Sequence, residues 1–125
     1  MTRLLIDSHA LIWWRGEHRR LSARAHEAIE NPDVSLFFSA ASIWEIAIKR
    51  AKGKLSVPEG LLDTMEERGF IELPVLSRHA MIAGALPPHH GDPFDRMIVA
   101  QAQSEGLTII TCDERIAAYD VPVLW

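Results

Sequence analysis

Arg3-Leu4-Leu5-Ile6-Asp7-Ser8-His9-Ala10-Leu11-Ile12-Trp13-Trp14 begins with a short apolar run, passes through one acid, and continues with helical composition. A brief run of large aliphatics bounded by polar residues reads as a strand buried on both faces, so the order is strand, acid, helix. The same order returns near the other end, where Leu107-Thr108-Ile109-Ile110-Thr111 leads through Cys112 to Asp113 and a short helix ending near Tyr119. Between them, Ser22 caps a helix through Ile29, and Asn31-Pro32-Asp33 breaks the chain before a second strand, Val34 to Phe38. Ser39 to Ala51 is again helical and is closed by Gly53. Pro58 stands at the favoured first position of another helix that Gly69 stops, with Phe70 to Leu73 a third strand. Ser77 caps a helix to about Leu86. Pro87 to Asp92 is a loop, and Pro93 opens an apolar helix that ends at Gly106. Val121 to Trp125, which contains Pro122, suits only an edge strand.

Strands alternating with helices imply right-handed crossovers and a mostly parallel sheet covered on both faces, an α/β architecture. In such sheets ligands bind beyond the carboxyl ends of the strands, so the residues just after each strand carry the functional information. The 125 residues (14.0 kDa) are expected to form one domain, 1–125, large enough to bury a core. The single cysteine, Cys112, excludes an internal disulfide and a multi-thiolate zinc site. Asp7 interrupts the N-terminal apolar run too early for a signal peptide, and no later run is long enough to span a membrane, so the expected location is the cytoplasm. Net charge is −4, so a nucleic-acid role requires a local basic patch or bound cations.

Four acids stand out, and each has a purely structural alternative. Asp7 and Asp113 follow strands at the ligand-binding edge, yet either serves equally as a helix N-cap. Glu45 shares a helical stripe with Ser42, Lys49 and Lys52, while Ile43, Ala47 and Ala51 lie on another; taken alone, this describes a solvated Glu45–Lys49 pair. Asp95 is followed at the next helical turns by Ile98, Val99 and Ala102, so an uncompensated carboxylate there is costly. Its alternative is a place in the first turn behind the N-cap Asp92 and Pro93. Carboxylates that gather in space are tolerated when a divalent cation binds or some are protonated, and oxygen-only donors suit Mg²⁺ or Mn²⁺.

Three segments resemble one known family. They are Leu4 to Trp14, Ser39-Ala40-Ala41-Ser42-Ile43-Trp44-Glu45-Ile46-Ala47, and His90-Gly91-Asp92-Pro93-Phe94-Asp95-Arg96-Met97-Ile98-Val99-Ala100-Gln101-Ala102. The last continues through Gly106 to Asp113. Together they are similar to the PIN-domain ribonucleases, in particular the VapC-type toxins of type II toxin–antitoxin pairs, over essentially the whole chain. Ile116 stands where many relatives have an aromatic residue. The resemblance implies a three-layer α/β/α fold and an endoribonuclease dependent on Mg²⁺ or Mn²⁺. It maps the family's acidic quartet onto Asp7, Glu45, Asp95 and Asp113, with Asp7 and Asp95 as first-choice ligands, and it implies a homodimer and a small cognate antitoxin, VapB-like or Phd-like.

Phosphate attraction is expected from Lys49, Arg50, Lys52 and Lys54, and from Arg15, Arg19 and Arg20; solvated helix ends explain these cations equally well. Trp13, Trp14 and Trp44 fit core packing or a protein interface better than base stacking. His89 and His90 form a weak zinc signal, His9 a local hydrogen bond near Asp7, and Cys112 inert filling beside a strand. An aspartyl phosphatase is disfavoured because His9 occupies the position of its second acid, and a nucleotide-binding module because no Gly-rich phosphate loop follows Ile6. The remaining alternative is a catalytically silent PIN-fold domain that binds RNA or protein.

Overall fold

The computed structural model describes residues 2–125. Five strands, β1 (Thr2–Ile6), β2 (Val34–Ser39), β3 (Ile71–Leu73), β4 (Thr108–Ile110) and β5 (Val123–Leu124), form one sheet in the order β3-β2-β1-β4-β5. Every pairing is parallel, with Leu5 opposite Phe37 on one side and Ile109 on the other. The helices are α1 (Ser8–Gly16), α2 (Ala23–Glu30), α3 (Ala40–Ala51), α4 (Leu61–Glu67), α5 (Ser77–Ala85), α6 (Pro93–Glu105) and α7 (Glu114–Ala117), with a single 3-10 turn at His18–Arg20.

The alternation of β1 divides the core. Leu4 and Ile6 face a cluster with Leu11, Trp14, Ala25, Ile29, Ile46 and Met65, whereas Leu5 faces Ile98, Val99, Ala102, Leu107 and Ile116 on the opposite face. Helices therefore cover both faces, giving the three-layer α/β/α arrangement. Central β1 has β2 on one side and β4 on the other, so the connections diverge at its carboxyl end and open a crevice there.

Two expected starts are displaced. The helix expected at Pro58 begins at Leu61 after Gly60, which takes the left-handed conformation at φ 73°. Pro58 serves the connection instead: a Cβ on Gly16 would lie 2.9 Å from its ring, so the ring closes over the end of α1 only because residue 16 is glycine. Ser77 is the first helical residue of α5 and not its cap, since the Leu76 N–H is taken by His79 Nδ1 at 3.0 Å. No helix among the described residues is long and apolar enough to cross a membrane.

Candidate active site

The crevice at the carboxyl end of β1 collects acids from four elements. Asp7 leaves β1 and is 6% exposed. Its Oδ1 accepts the Ala10 N–H at 2.8 Å, so it caps α1 and remains within electrostatic reach of Asp95. Burial, opposed by a hydrogen bond from the Thr111 hydroxyl and the Ala10 N–H, pushes its carboxyl up to about 6. Asp7 thus caps α1 and also lies buried at the crevice.

Glu45 overturns the solvated-pair reading. It is 3% exposed: its Oε1 accepts from the Ser8 hydroxyl and its Oε2 from Lys49 Nζ, each at 2.7 Å. The polar stripe of α3 turns inward at Ser42 and Glu45, both buried, because α3 packs against α1 and α6 as well as the sheet. Helical spacing says which residues share a stripe but not which stripe is covered. The Lys49 ammonium is held protonated beyond its ordinary range by its hydrogen bond to Glu45 and by the charges of Asp92 and Asp95.

Asp92, and not Asp95, caps α6: its Oδ1 accepts the Phe94 N–H at 2.8 Å and the Asp95 N–H at 3.1 Å. Asp95 is thereby released from capping, while Ile98, Val99 and Ala102 behind it are fully buried. Burial, together with the neighbouring charges of Asp92 and Glu45, raises the Asp95 carboxyl against a hydrogen bond from His90. Asp113 sits nearer the rim. It caps α7 through the Arg115 N–H at 2.9 Å and meets the Arg115 guanidinium at 3.2 Å. Burial pushes its carboxyl up, but the hydrogen bonds and charge of Arg115 outweigh it and hold the group below the usual range. Thr111 ties the two strand ends together, its Oγ1 accepting the Asp113 N–H at 3.0 Å while its hydroxyl serves Asp7.

Three further groups stand at this site, of which only His90 was weighed from the sequence. Ser8 and Thr111 orient Glu45 and Asp7, but hydroxyls beside helix starts and strand ends are ordinary capping residues. His90, dismissed with His89 as a weak zinc signal, places Nε2 2.8 Å from Asp95 Oδ2, and donor atoms of His90, Asp95 and Asp113 lie within 4.8 Å of one another. His89 instead packs tilted against Tyr119, and His9 packs tilted against Trp13 while acting electrostatically on Asp7. Cys112 is exposed, not core filling, because the strand ends before it.

Arg50, Lys52 and Lys54 are exposed near the end of α3, whereas Lys49 is committed to Glu45. Trp14 is buried against Phe70, as core packing requires. Trp13 is half-buried beneath the Arg20 guanidinium. Trp44 is 64% exposed and packs edge-on against Phe94, lining an apolar crevice of about 480 Å³ with Ala40, Val75 and Met97.

The donor set suits a hard divalent cation: carboxylates from separate segments are gathered where burial disfavours their charge, with Lys49 against Glu45 and Arg115 against Asp113.

The PIN domain family model matches residues 4–122. Ribonuclease VapC22 of Mycobacterium tuberculosis (strain ATCC 25618 / H37Rv) is 33% identical over 125 residues, covering 98% of this chain and 95% of that protein. VapBC2 from Rickettsia felis, solved bound to a DNA fragment from its promoter, shares the fold with a TM-score of 0.75 at 12% identity, covering 98% of each chain. VapBC-5 from Mycobacterium tuberculosis, a member of the VapBC family of toxin-antitoxin systems, does so with a TM-score of 0.62 at 16% identity, covering 99% of this chain and 98% of that one. This chain belongs to the PIN domain family.

Proposed function

We propose that this chain is a metal-dependent endoribonuclease that acts as the toxin of a toxin–antitoxin pair, as one domain spanning 1–125 and working in the cytoplasm. The observation that carries the reading is the buried Asp7 at the carboxyl end of the central strand, electrostatically coupled to Asp95 across the crevice and pushed up to about 6. A site that keeps such carboxyls without a basic partner for each is suited to a cation. Asp7 and Asp95 are the first ligands, with Glu45 and Asp113 completing the cage. Bound Mg²⁺ or Mn²⁺ supplies polarisation of a phosphoryl oxygen and a lowered pKa for a coordinated water.

The remaining work falls to the chain's own groups. The Ala10 N–H and the Thr111 hydroxyl fix the carboxylate of Asp7, and Ser8 and Lys49 hold both oxygens of Glu45 in one rotamer. Glu45 or Asp113 orients the attacking water, whose proton passes to that carboxylate. The exposed Arg50, Lys52 and Lys54 draw in the RNA backbone. The exposed apolar crevice at Trp44, Phe94 and Met97 supports a protein partner, a small VapB-like or Phd-like antitoxin, and a homodimer.

The test is cleavage of RNA by wild type, Asp7→Asn and Asp95→Asn with Mg²⁺ and with EDTA, alongside induced expression and mapping of new 5′ ends. Both variants are expected to lose more than about a hundredfold in rate, since even groups behind metal ligands cost 10–100-fold. EDTA is expected to abolish cleavage. Equal toxicity from all three proteins would reject the chemistry and favour a silent binding domain.

A further inference from the structure

Among the described histidine rings, His9 rests on Trp13, His18 on His26, and His89 on Tyr119, while His79 accepts from the Leu76 N–H and meets Glu105. His9 also acts on Asp7 electrostatically, but His90 is the ring hydrogen-bonded to an acid of the crevice. Its side chain is 9% exposed, and Nε2 lies 2.8 Å from Asp95 Oδ2. We propose that His90 is a nitrogen ligand of the divalent ion, which makes this a mixed nitrogen–oxygen site that prefers Mn²⁺ to Mg²⁺. The inference rests on the metal-site reading above and adds a ligand to it.

Three observations support it. The first is spacing: an octahedral ion with ligands at about 2.1 Å holds adjacent donors about 3 Å apart and opposite ones about 4 Å apart. The 2.8 Å between Nε2 and Oδ2 matches an adjacent pair, and one donor atom from each of His90, Asp95 and Asp113 lies within 4.8 Å of the others. The hydrogen bond between His90 Nε2 and Asp95 Oδ2 stands where a cation would join the same two atoms.

The second is preorganisation of the backbone. The His90 N–H donates to the Tyr119 hydroxyl at 3.0 Å, and that hydroxyl donates back to the His90 carbonyl at 3.2 Å. Arg96, one residue after Asp95, donates to the carbonyls of Ala83, Leu86, Pro87 and His90. The loop 87–92 is thus clamped at the position that aims the ring, by Tyr119 and by Arg96 of the helix that carries Asp95. Metal ligands on loops need this kind of support behind them.

The third is donor chemistry. Mg²⁺ takes oxygen and keeps its waters, whereas first-row transition ions gain from an imidazole nitrogen. One such ligand among carboxylates shifts the preference without excluding Mg²⁺.

Pulsed electron paramagnetic resonance of wild type loaded with Mn²⁺ is the direct test, because a bound imidazole imposes a nitrogen hyperfine coupling on the electron spin. The coupling is expected in wild type and in His89→Gln, and is expected to be lost in His90→Gln, which keeps an N–H donor for Asp95. Calorimetric titration is expected to show the ratio of Mn²⁺ to Mg²⁺ affinity falling about tenfold in His90→Gln, with Mg²⁺ affinity changed less than about threefold. Mn²⁺ bound to wild type without nitrogen coupling, or an unchanged ratio in His90→Gln, would overturn the role of His90 and leave the carboxylate site standing. Failure of wild type to bind either ion would overturn both.

Discussion

Asp7 is asked to cap a helix, to lie inside the protein and to carry charge, and the third demand conflicts with the second. Its carboxyl is pushed by burial to about 6 from an ordinary 3.8. Because the folded-state value is the higher one, the contribution of Asp7 to the metal-free fold is complete below about pH 4. It is lost as pH rises through 6. Asp7→Asn keeps an oxygen to accept the Ala10 N–H and removes the charge. With EDTA present the variant is expected to be more stable than wild type at pH 7.5, by roughly 1–3 kcal/mol, while being inactive as a nuclease. At pH 4 the two are expected to melt together. Thermal melts at both pH values check this, and a variant less stable at pH 7.5 would contradict the electrostatic account. The place of Asp7 was legible because an acid directly after a buried-type strand has few other positions to occupy. Its partners were not, since Thr111 lies 104 positions away and its hydroxyl is a common strand-end feature.

Elements were legible where periodicity and caps agreed. Asp92-Pro93 opening α6, Gly106 closing it in the left-handed conformation and Ser22 capping α2 fall where the residues put them. The start of α4 was not, because the same proline that suits a first helical position also suits a ring packed on Gly16, and only the tertiary contact chooses. The inward turn of the Glu45 stripe was hidden for the related reason that α3 is covered from more than one direction. Helices α5 and α6, whose connecting loop carries His90, are tied at their far ends by Glu105, which meets Arg78 Nη2 at 2.8 Å and His79 Nε2 at 3.0 Å. Hydrogen bonds from His79 and Arg78 lower its carboxyl to about 2 from 4.5. A lowered folded-state value gives stability present above pH 4.5 and lost as pH falls toward 2. Glu105→Gln is therefore expected to lose about 1 kcal/mol at pH 7, as for a charged hydrogen bond near the surface, and to be indistinguishable from wild type below pH 2. Urea midpoints across that range measure it, and a deficit independent of pH would assign the loss to packing.

The sheet order places β1 between the two halves of the topology, so the acids after β1 and β4 meet at the one crevice that the connections leave open. The parallel sheet and the crevice follow from the strand–helix alternation; the convergence of Glu45 and Asp95 on it needed the resemblance, since neither lies at a strand end. The net charge of −4 equals the full charge of Asp7, Glu45, Asp95 and Asp113, so apart from that quartet the molecule is electrically balanced. Folding therefore assembles the repulsion, and an ion that binds only the folded state relieves it. At a free ion concentration a hundred times the dissociation constant, such binding adds about 2.7 kcal/mol. With an unfolding entropy typical of a chain this long, the melting temperature is expected to rise by about 10 °C on saturation with Mn²⁺ or Mg²⁺ and to fall back with EDTA. Asp95→Asn removes a ligand as well as a charge, so its own melting temperature is expected to respond to the ion by less than about 2 °C. Scanning calorimetry of both proteins with and without the ion separates the two effects: an equal rise in wild type and Asp95→Asn would mean that the cation binds elsewhere on the surface, and the crevice would no longer explain why four separated segments bring their acids together.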